Sequence, residues 1–351
     1  MIDKLCLTCP NHLKQFGLAV HNFHDTRNGV PPVLIWSNPA SDAEQSGSTP
    51  DKVGRMSFWG LVYPYAEQQA LYDLCTAGST GTANESFDRR LDAVWWNPLD
   101  DSVKRGFGGV SIYRCPSRRG SGALFVRETT DTSPGPQTDY AIVGAYANSS
   151  TASTANTADW RYLRSCWDNT ATQVNRHRGP FRVADTTVTG NRVDTWSPRD
   201  SFSRWKDRTS NQIIVAEKHI PSFALGKCQI TSTAITDNNL DCSYLAASSN
   251  SGGTDTRMRA DMAAHAFASN VMAYNISSIF DTNPGRPIAR SDSEPTTGVA
   301  RWEWAHIGSA HSGVFNVLLG DGSVRGAAKS VSSSIIKFLT IVDDGQSIQL
   351  P

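Results

Sequence analysis

An α+β fold is what the sequence predicts, with an N-terminal helix packed on an antiparallel β-sheet and loop-rich insertions. Three observations indicate it: an apolar stripe of helical period near the start, several short apolar runs of strand length, and a hairpin signal near the end. A chain of 351 residues fits one large domain or two, and its 39% hydrophobic content is enough for a sizeable core. We expect a single domain over residues 1–351.

The N-terminal element is predicted from apolar residues that recur every three to four positions. They are Leu5, Cys9, Leu13, Phe16, Val20 and Phe23. This spacing puts them on one face of a helix from about residue 9 to residue 25, within an N-terminal helical segment over residues 1–30. Thr8 is a candidate N-cap, and Pro10 would then fall in the first turn, where its missing N–H costs nothing.

A β-hairpin is predicted near the end of the chain. Residues 314–319 are apolar except for Asn316, and Asp321-Gly322 favours a type I′ turn into a return strand. At about 3.3 Å per strand residue, the ends of this run are roughly 16 Å apart, so His311 and Asp321 should not meet. We therefore interpret His311, Asp321 and Gly322 as a structural motif in which His311 caps the strand.

Further elements follow from shorter patterns. Strands are predicted at Val110–Arg114, Asp139–Val143, Gly179–Ala184, Gln212–Ala216 and Ser347–Leu350, and a helix near Pro64. Residues 334–342 fit a helix or a strand, of which we favour the helix. Residues 222–300 are expected to be a variable insertion that decorates the domain.

Charge and cysteine usage narrow the range of partners. The 33 basic and 33 acidic residues cancel, which argues against nucleic acid or an anionic membrane as a partner. The seven cysteines form no Cys-x2-Cys array of a zinc ribbon and are compatible with disulfides in an oxidising compartment. Cys228 and Cys242 bracket a polar loop and are predicted to pair.

Candidate sites other than the hairpin have simpler structural interpretations. His21, His24 and Asp25 share one helix face but form an incomplete zinc set, and Glu67 with Glu217 could act as a carboxylate pair only if the fold brought them together. No nucleophile elbow or phosphate-binding loop occurs. We therefore expect no catalytic residue, cofactor or metal, and no enzyme activity.

Tryptophans offer a second type of candidate site. Trp95, Trp96, Trp302 and Trp304 are possible sugar-stacking residues, and Trp302 and Trp304 would share one face of a strand. Core packing is the default interpretation, because buried tryptophans are more common than exposed sugar platforms.

Six blocks of the sequence, taken together, resemble a known bacterial family. They are Cys9 to Asp25 followed by Pro31-Pro32, Leu61 to Tyr72, Tyr113 to Ser117, Thr138 to Tyr140, Asp207 to Glu217, and His311 to Gly322. The last block has nine residues between His311 and Asp321-Gly322. In content and order these blocks resemble the prepilin-type processing-associated H-x9-DG proteins.

The resemblance implies a pilin-like fold and a non-catalytic extracellular or cell-surface protein of the pilin and pseudopilin kind, acting in filament assembly, secretion or adhesion. Its partners would be further copies or other pilin-like subunits. The alternative is a carbohydrate- or solute-binding module. Family members usually open with a basic leader and a long apolar helix that this sequence does not show, so membrane contact is expected only through a missing upstream helix.

The resemblance also implies a disulfide between Cys9 and Cys115, which stand in blocks where the family has a cysteine. Closing a loop of about 105 residues would stabilise the fold by ~4–5 kcal/mol on the chain-entropy model.

Overall fold

A computed structural model describes residues 2–36, 54–77, 91, 93–119, 135–143, 179–189, 192–220, 222, 225–226, 241, 243–245, 307–346 and 348–351. The fold is α+β, with an N-terminal helix and antiparallel sheets. Cys228, Cys242, Trp302 and Trp304 lie outside the described residues, as does most of the predicted 222–300 insertion. Within the described part, no helix combines the length and apolar character that a membrane span requires.

Helix α1 spans Ile2–Arg27 and is longer than predicted. It begins before Thr8, so Thr8 is not its N-cap, and it continues through Pro10 with the loss of one backbone hydrogen bond. The predicted stripe is buried from Cys9 to Phe23. Asn28 follows the helix with a φ of 55°, the left-handed conformation that commonly ends helices.

The central sheet has four antiparallel strands: β3 at Tyr140–Ile142, β6 at Ile213–Glu217, β7 at Val314–Leu319 and β8 at Val324–Ala328. Their order across the sheet is β3-β6-β7-β8. Strands β3 and β6 consist entirely of buried residues. Both fall within or beside the predicted runs, because continuous apolar residues are typical of strands covered on two faces.

Strand β7 has apolar side chains on both faces of the sheet, so each face must be covered by another element. Leu318 packs in the same apolar cluster as Phe16 and Val20 of α1, whereas Phe315 and Val317 belong to a second cluster. The second cluster includes Ile336 and Leu339 of the C-terminal helix α6, Ser333–Thr340. Because side chains alternate along a strand, the sheet is sandwiched between α1 and α6.

The remaining elements surround this layer. They are β1 at Leu34–Trp36 paired with β2 at Gly54–Ser57, α2 at Phe58–Leu61, α3 at Gln69–Thr76, α4 at Ala93–Trp96, α5 at Asp101–Gly109, and a hairpin of β4 at Asp185–Thr189 with β5 at Arg192–Ser197. Near Pro64, where the sequence predicts a helix, the structure has a 3-10 helix at Tyr63–Ala66.

Three predicted strands are wrong. Residues 111–113 form a 3-10 helix, because Tyr113 turns inward and its hydroxyl donates to the Trp59 carbonyl at 2.7 Å. Residues 179–184 form no strand; their backbone makes isolated hydrogen bonds with Val33 and Leu34 beside β1. Residues 348–350 are likewise not a strand.

The turn between β7 and β8 differs in type from the prediction. The Gly322 N–H donates to the Leu319 carbonyl at 2.9 Å, and only Gly322 in this turn has a positive φ, of 81°. A type I′ turn would need positive φ at two adjacent positions, so this turn is a three-residue loop that ends on a left-handed glycine. The requirement for glycine falls on Gly322 alone.

Gly322→Val should destabilise the protein by about 1–3 kcal/mol, measured by urea unfolding, because a β-branched residue is strained at positive φ. A Cβ there would contact only the His21 ring, at 3.9 Å, so the loss would come from backbone strain and not from a clash. Gly109→Val is the control, since a Cβ at Gly109 meets nothing within 4 Å. Equal losses in the two variants would show that the left-handed turn is unimportant.

Candidate functional site

Four buried side chains from distant parts of the chain converge on the α1 side of the sheet. They are Cys9, Cys115, Glu217 and His311, and their potential ligand atoms all lie within 4.8 Å of one another. Nε2 of His311 is 3.2 Å from Oε1 of Glu217 and 3.7 Å from Sγ of Cys115. We call these four residues the Cys-His-Glu cluster.

Each member is positioned by a different element. Cys9 projects from α1, Cys115 follows the 3-10 helix at Ser111–Tyr113, Glu217 ends β6, and His311 precedes β7. Because β6 and β7 are antiparallel, the end of one lies beside the start of the other. The sheet register therefore brings Glu217 and His311 together, and α1 and the segment that carries Cys115 close over them.

The His311 side chain takes part in the Cys-His-Glu cluster, whereas the sequence predicts that it caps β7. Its backbone N–H donates to Oγ of Ser309 at 3.1 Å, within the turn that leads into β7, while its side chain points to Glu217 and Cys115. His311 and Asp321 lie beyond opposite ends of β7, in agreement with the strand geometry. Asp321 instead accepts from the Ser323 N–H at 2.9 Å within the turn.

Asn316, the polar residue in the apolar run of β7, holds Glu217 in place. Its backbone N–H and its side-chain amide donate to Oε2 of Glu217 at 2.7 and 3.1 Å. Oε1 of Glu217 faces His311. Two donors on Oε2 thus orient the carboxylate, and Oε1 remains available to the other members of the cluster.

Contacts within the cluster shift the pKa values of Cys9, Cys115 and His311. Hydrogen bonds from Cys9 and then from His311 lower the pKa of Cys115, although burial opposes the shift. The hydrogen bond to Cys115, together with burial, raises the pKa of Cys9. Hydrogen bonds with Cys115 and Glu217 raise the pKa of His311 to about 10. The arrangement therefore favours a Cys115 thiolate beside a charged imidazole.

The two cysteines that the family resemblance pairs are neighbours in space. Their Sγ atoms are 2.6 Å apart, which is longer than the roughly 2.05 Å of a disulfide, and both are free cysteines in this structure. The proximity makes either a bond or a shared ligand sterically accessible. The disulfide stays a prediction.

The cluster does not have the arrangement of a hydrolytic triad. In a triad, one ring nitrogen of the histidine contacts the nucleophile and the other contacts the orienting carboxylate. Here Nε2 of His311 faces both Cys115 and Glu217. Because all four donors converge on one point within the protein interior, the geometry suits a buried cation or a thiol pair.

Comparison with known families assigns the chain to one of them. The family model described as a protein of unknown function, DUF1559, matches residues 7–334. This chain belongs to the DUF1559 family. Neither the comparison with curated proteins nor that with solved structures finds a match. The matched span includes all four residues of the cluster.

In this DUF1559 protein, a network of buried charged side chains holds the backbone of Cys115 in place. Oδ2 of Asp139 accepts from the Cys115 N–H at 2.7 Å, and Oδ1 accepts from Nε of Arg119 at 2.9 Å. Arg119 also forms a two-pronged ion pair with Asp241. Burial raises the pKa of Asp139, but Arg119 and then Arg118 outweigh it, so the net shift is downward. Burial lowers the pKa of the nearby Lys218 to about 8.

Other sequence candidates in the DUF1559 chain occupy structural positions. Nε2 of His21 donates to the Gly320 carbonyl at 3.0 Å. His24 stacks on Phe202 with ring centroids 4.3 Å apart. Glu67 is exposed and follows a 3-10 helix, whereas Glu217 is buried in the cluster.

The described tryptophan pair is part of the packing around α5. Trp96 is buried, and Trp95 is half-buried with its ring centroid 5.8 Å from that of Phe107. The two indole planes are inclined by 50°, so they do not form one flat platform. This geometry fits core packing, the default interpretation of the sequence.

The cluster as a whole was not predicted. The family resemblance pairs Cys9 with Cys115, whereas the sequence patterns relate Glu217 only to Glu67 and His311 only to Asp321. Two signals pointed to it: a glutamate that closes the apolar run of β6, and the asparagine within β7. A buried carboxylate needs donors, and a buried amide needs an acceptor, so the two could have been matched.

Asp139→Asn should destabilise the protein by about 3–5 kcal/mol in urea unfolding, because Arg119 and the Cys115 N–H would lose a buried charged partner. Asp185→Asn is the matched control: Asp185 pairs with Arg199, but its side chain is 51% exposed, and surface pairs contribute up to about 1 kcal/mol. A loss at Asp139 no larger than the control would contradict a supporting role for the network.

Proposed function

We propose that this DUF1559 protein is a non-catalytic extracellular or cell-surface structural protein of the pilin and pseudopilin kind, acting in filament assembly, secretion or adhesion. The family is associated with bacterial surface and pilin-like proteins, which supports a surface role. A long N-terminal helix packed on an antiparallel sheet also supports it, as that is the arrangement the H-x9-DG resemblance implies.

The signature residues support the proposal through their position. His311 and Asp321-Gly322 mark the two ends of β7, the strand against which α1 packs. A Cβ at Gly17 of α1 would lie 3.2 Å from Cα of Gly322, so the helix and the turn are in close contact. The signature is thus part of the platform that holds the helix.

The observation that carries the assembly role is the outer side of α1. It presents Asn11, Lys14, Gln15, Leu18 and Asn22 to solvent. Leu18 is 65% exposed, the highest value among the large apolar side chains of the described residues. We infer that this side of α1 contacts a second copy of the chain when subunits assemble through their N-terminal helices.

An apolar helical segment of about 20 residues, joined in register ahead of α1, should cause the protein to assemble. Sedimentation and electron microscopy of the extended protein, in detergent and after its removal, would detect oligomers or filaments. Leu18→Glu should weaken that assembly, because a charge would be buried at the contact.

Leu74→Glu is the matched control, since Leu74 is also an exposed apolar side chain, 38% exposed, but lies on α3. It should assemble like the unsubstituted extended chain. An extended protein that stays monomeric, or equal effects of the two glutamates, would refute assembly through α1.

A further inference from the structure

We propose that the Cys-His-Glu cluster, with both thiols reduced, is a structural binding site for one divalent cation of the zinc type. The ligands would be Sγ of Cys9, Sγ of Cys115, Nε2 of His311 and Oε1 of Glu217. This inference is independent of the surface role proposed above, because it concerns how the chain is held together.

The distances between donor atoms are close to those of a tetrahedral site. With metal–ligand bonds of about 2.0–2.3 Å, neighbouring donors of a tetrahedron lie roughly 3.3–3.8 Å apart. The 3.2 Å between His311 and Glu217 and the 3.7 Å between Cys115 and His311 already match. The two sulfurs, at 2.6 Å, would have to separate by about 1 Å, and the other three donor pairs lie within 4.8 Å.

The types of donor select the metal. Two thiolates, one imidazole and one carboxylate suit zinc, whereas magnesium and calcium require six or more oxygen ligands. Four protein donors leave no open position for water or substrate, and all four residues are buried. The site therefore has the features of a structural centre.

The surroundings hold the ligands as a metal site requires. Asn316 orients Glu217 through two hydrogen bonds, and Asp139 fixes the backbone of Cys115. Such outer partners commonly orient ligands and tune metal affinity. These contacts hold Glu217 and the backbone of Cys115 in place and so preorganise the donors.

A cation here would tie together four segments that are remote in the sequence. Cys9 and Cys115 are 106 residues apart, and Glu217 and His311 are 94 residues apart. One ion would join α1, the segment after the 3-10 helix at residues 111–113, β6 and the turn before β7. The ion would connect the same two cysteines that a disulfide would connect. Through Glu217 and His311 it would also connect them to the central sheet.

The test is metal uptake by the full chain, reduced with a phosphine, freed of metal by dialysis against a chelator, and then titrated. Zinc should bind at one equivalent per chain and raise the melting temperature. Cobalt should bind at the same stoichiometry and give thiolate charge-transfer bands with the visible bands of a tetrahedral ion. These spectra report the ligands directly in the unsubstituted chain, even if a variant fails to fold.

Variants then identify the ligands. Cys115→Ser and His311→Ala should weaken zinc binding by more than about 100-fold, beyond the usual effect of outer partners. Cys75→Ser and His24→Ala are matched controls outside the cluster and should bind zinc like the parent chain. Glu217→Gln should still bind cobalt, but more weakly and with altered visible bands.

Reduced, folded protein that takes up neither ion would overturn the proposal, as would binding that is equal in His311→Ala and the parent chain. If the protein is isolated with a Cys9–Cys115 disulfide, the proposal requires that reduction of this disulfide restore metal binding. If reduction does not restore metal binding, the cluster is a thiol pair and not a metal site.

Discussion

The close approach of α1 to the β7–β8 turn is the constraint on which the rest of the structure depends. Gly17 has no side chain, and a Cβ there would lie 3.1 Å from Cδ1 of Leu318 and 3.2 Å from Cα of Gly322. The helix can therefore lie directly on the end of the hairpin, where His21 donates to the Gly320 carbonyl. This contact fixes where α1 crosses the sheet, and with it the position of every buried side chain along the helix.

The placement of Cys9 follows from matching lengths. From Cys9 to His21 the helix rises about 18 Å at 1.5 Å per residue. From Val314 to Gly320 the strand covers about 20 Å at 3.3 Å per residue. Because α1 runs alongside β7 from the His311 end to the turn, His21 meets one end of the strand and Cys9 meets the other.

The sequence was sufficient for features that depend on local pattern. The apolar period of α1 and the continuous apolar run of β6 each reflect one element and the face or faces that it buries, so neighbouring residues carry the signal. Residues 111–113 have the local pattern of a strand but form a 3-10 helix, because the hydroxyl of Tyr113 donates to the carbonyl of Trp59, which lies 54 residues earlier. Here tertiary packing overrode local preference.

The Cys-His-Glu cluster could not be read from the sequence for the same reason. Cys115 and His311 are 196 residues apart, and their contact depends on the order and register of the strands between them. Ala216 pairs with Val317, which sets Glu217 beside Asn316 and close to the residues that precede β7. A shift of one residue would turn Glu217 to the α6 side of the sheet, away from both cysteines.

The nine-residue spacing of the signature can be explained by this geometry. His311 must reach the cluster at one end of β7, and Gly322 must turn the chain beneath Gly17 at the other. An insertion of one residue between them would either move His311 away from Glu217 or reverse which face of β7 meets α1, burying Phe315 and Val317 on the wrong side. The spacing of the signature thus corresponds to the length of β7 between the Cys-His-Glu cluster and the turn beneath Gly17. Its histidine and its glycine are constrained for different reasons. His311 is held by the polar contacts of its ring, and Gly322 by its backbone conformation.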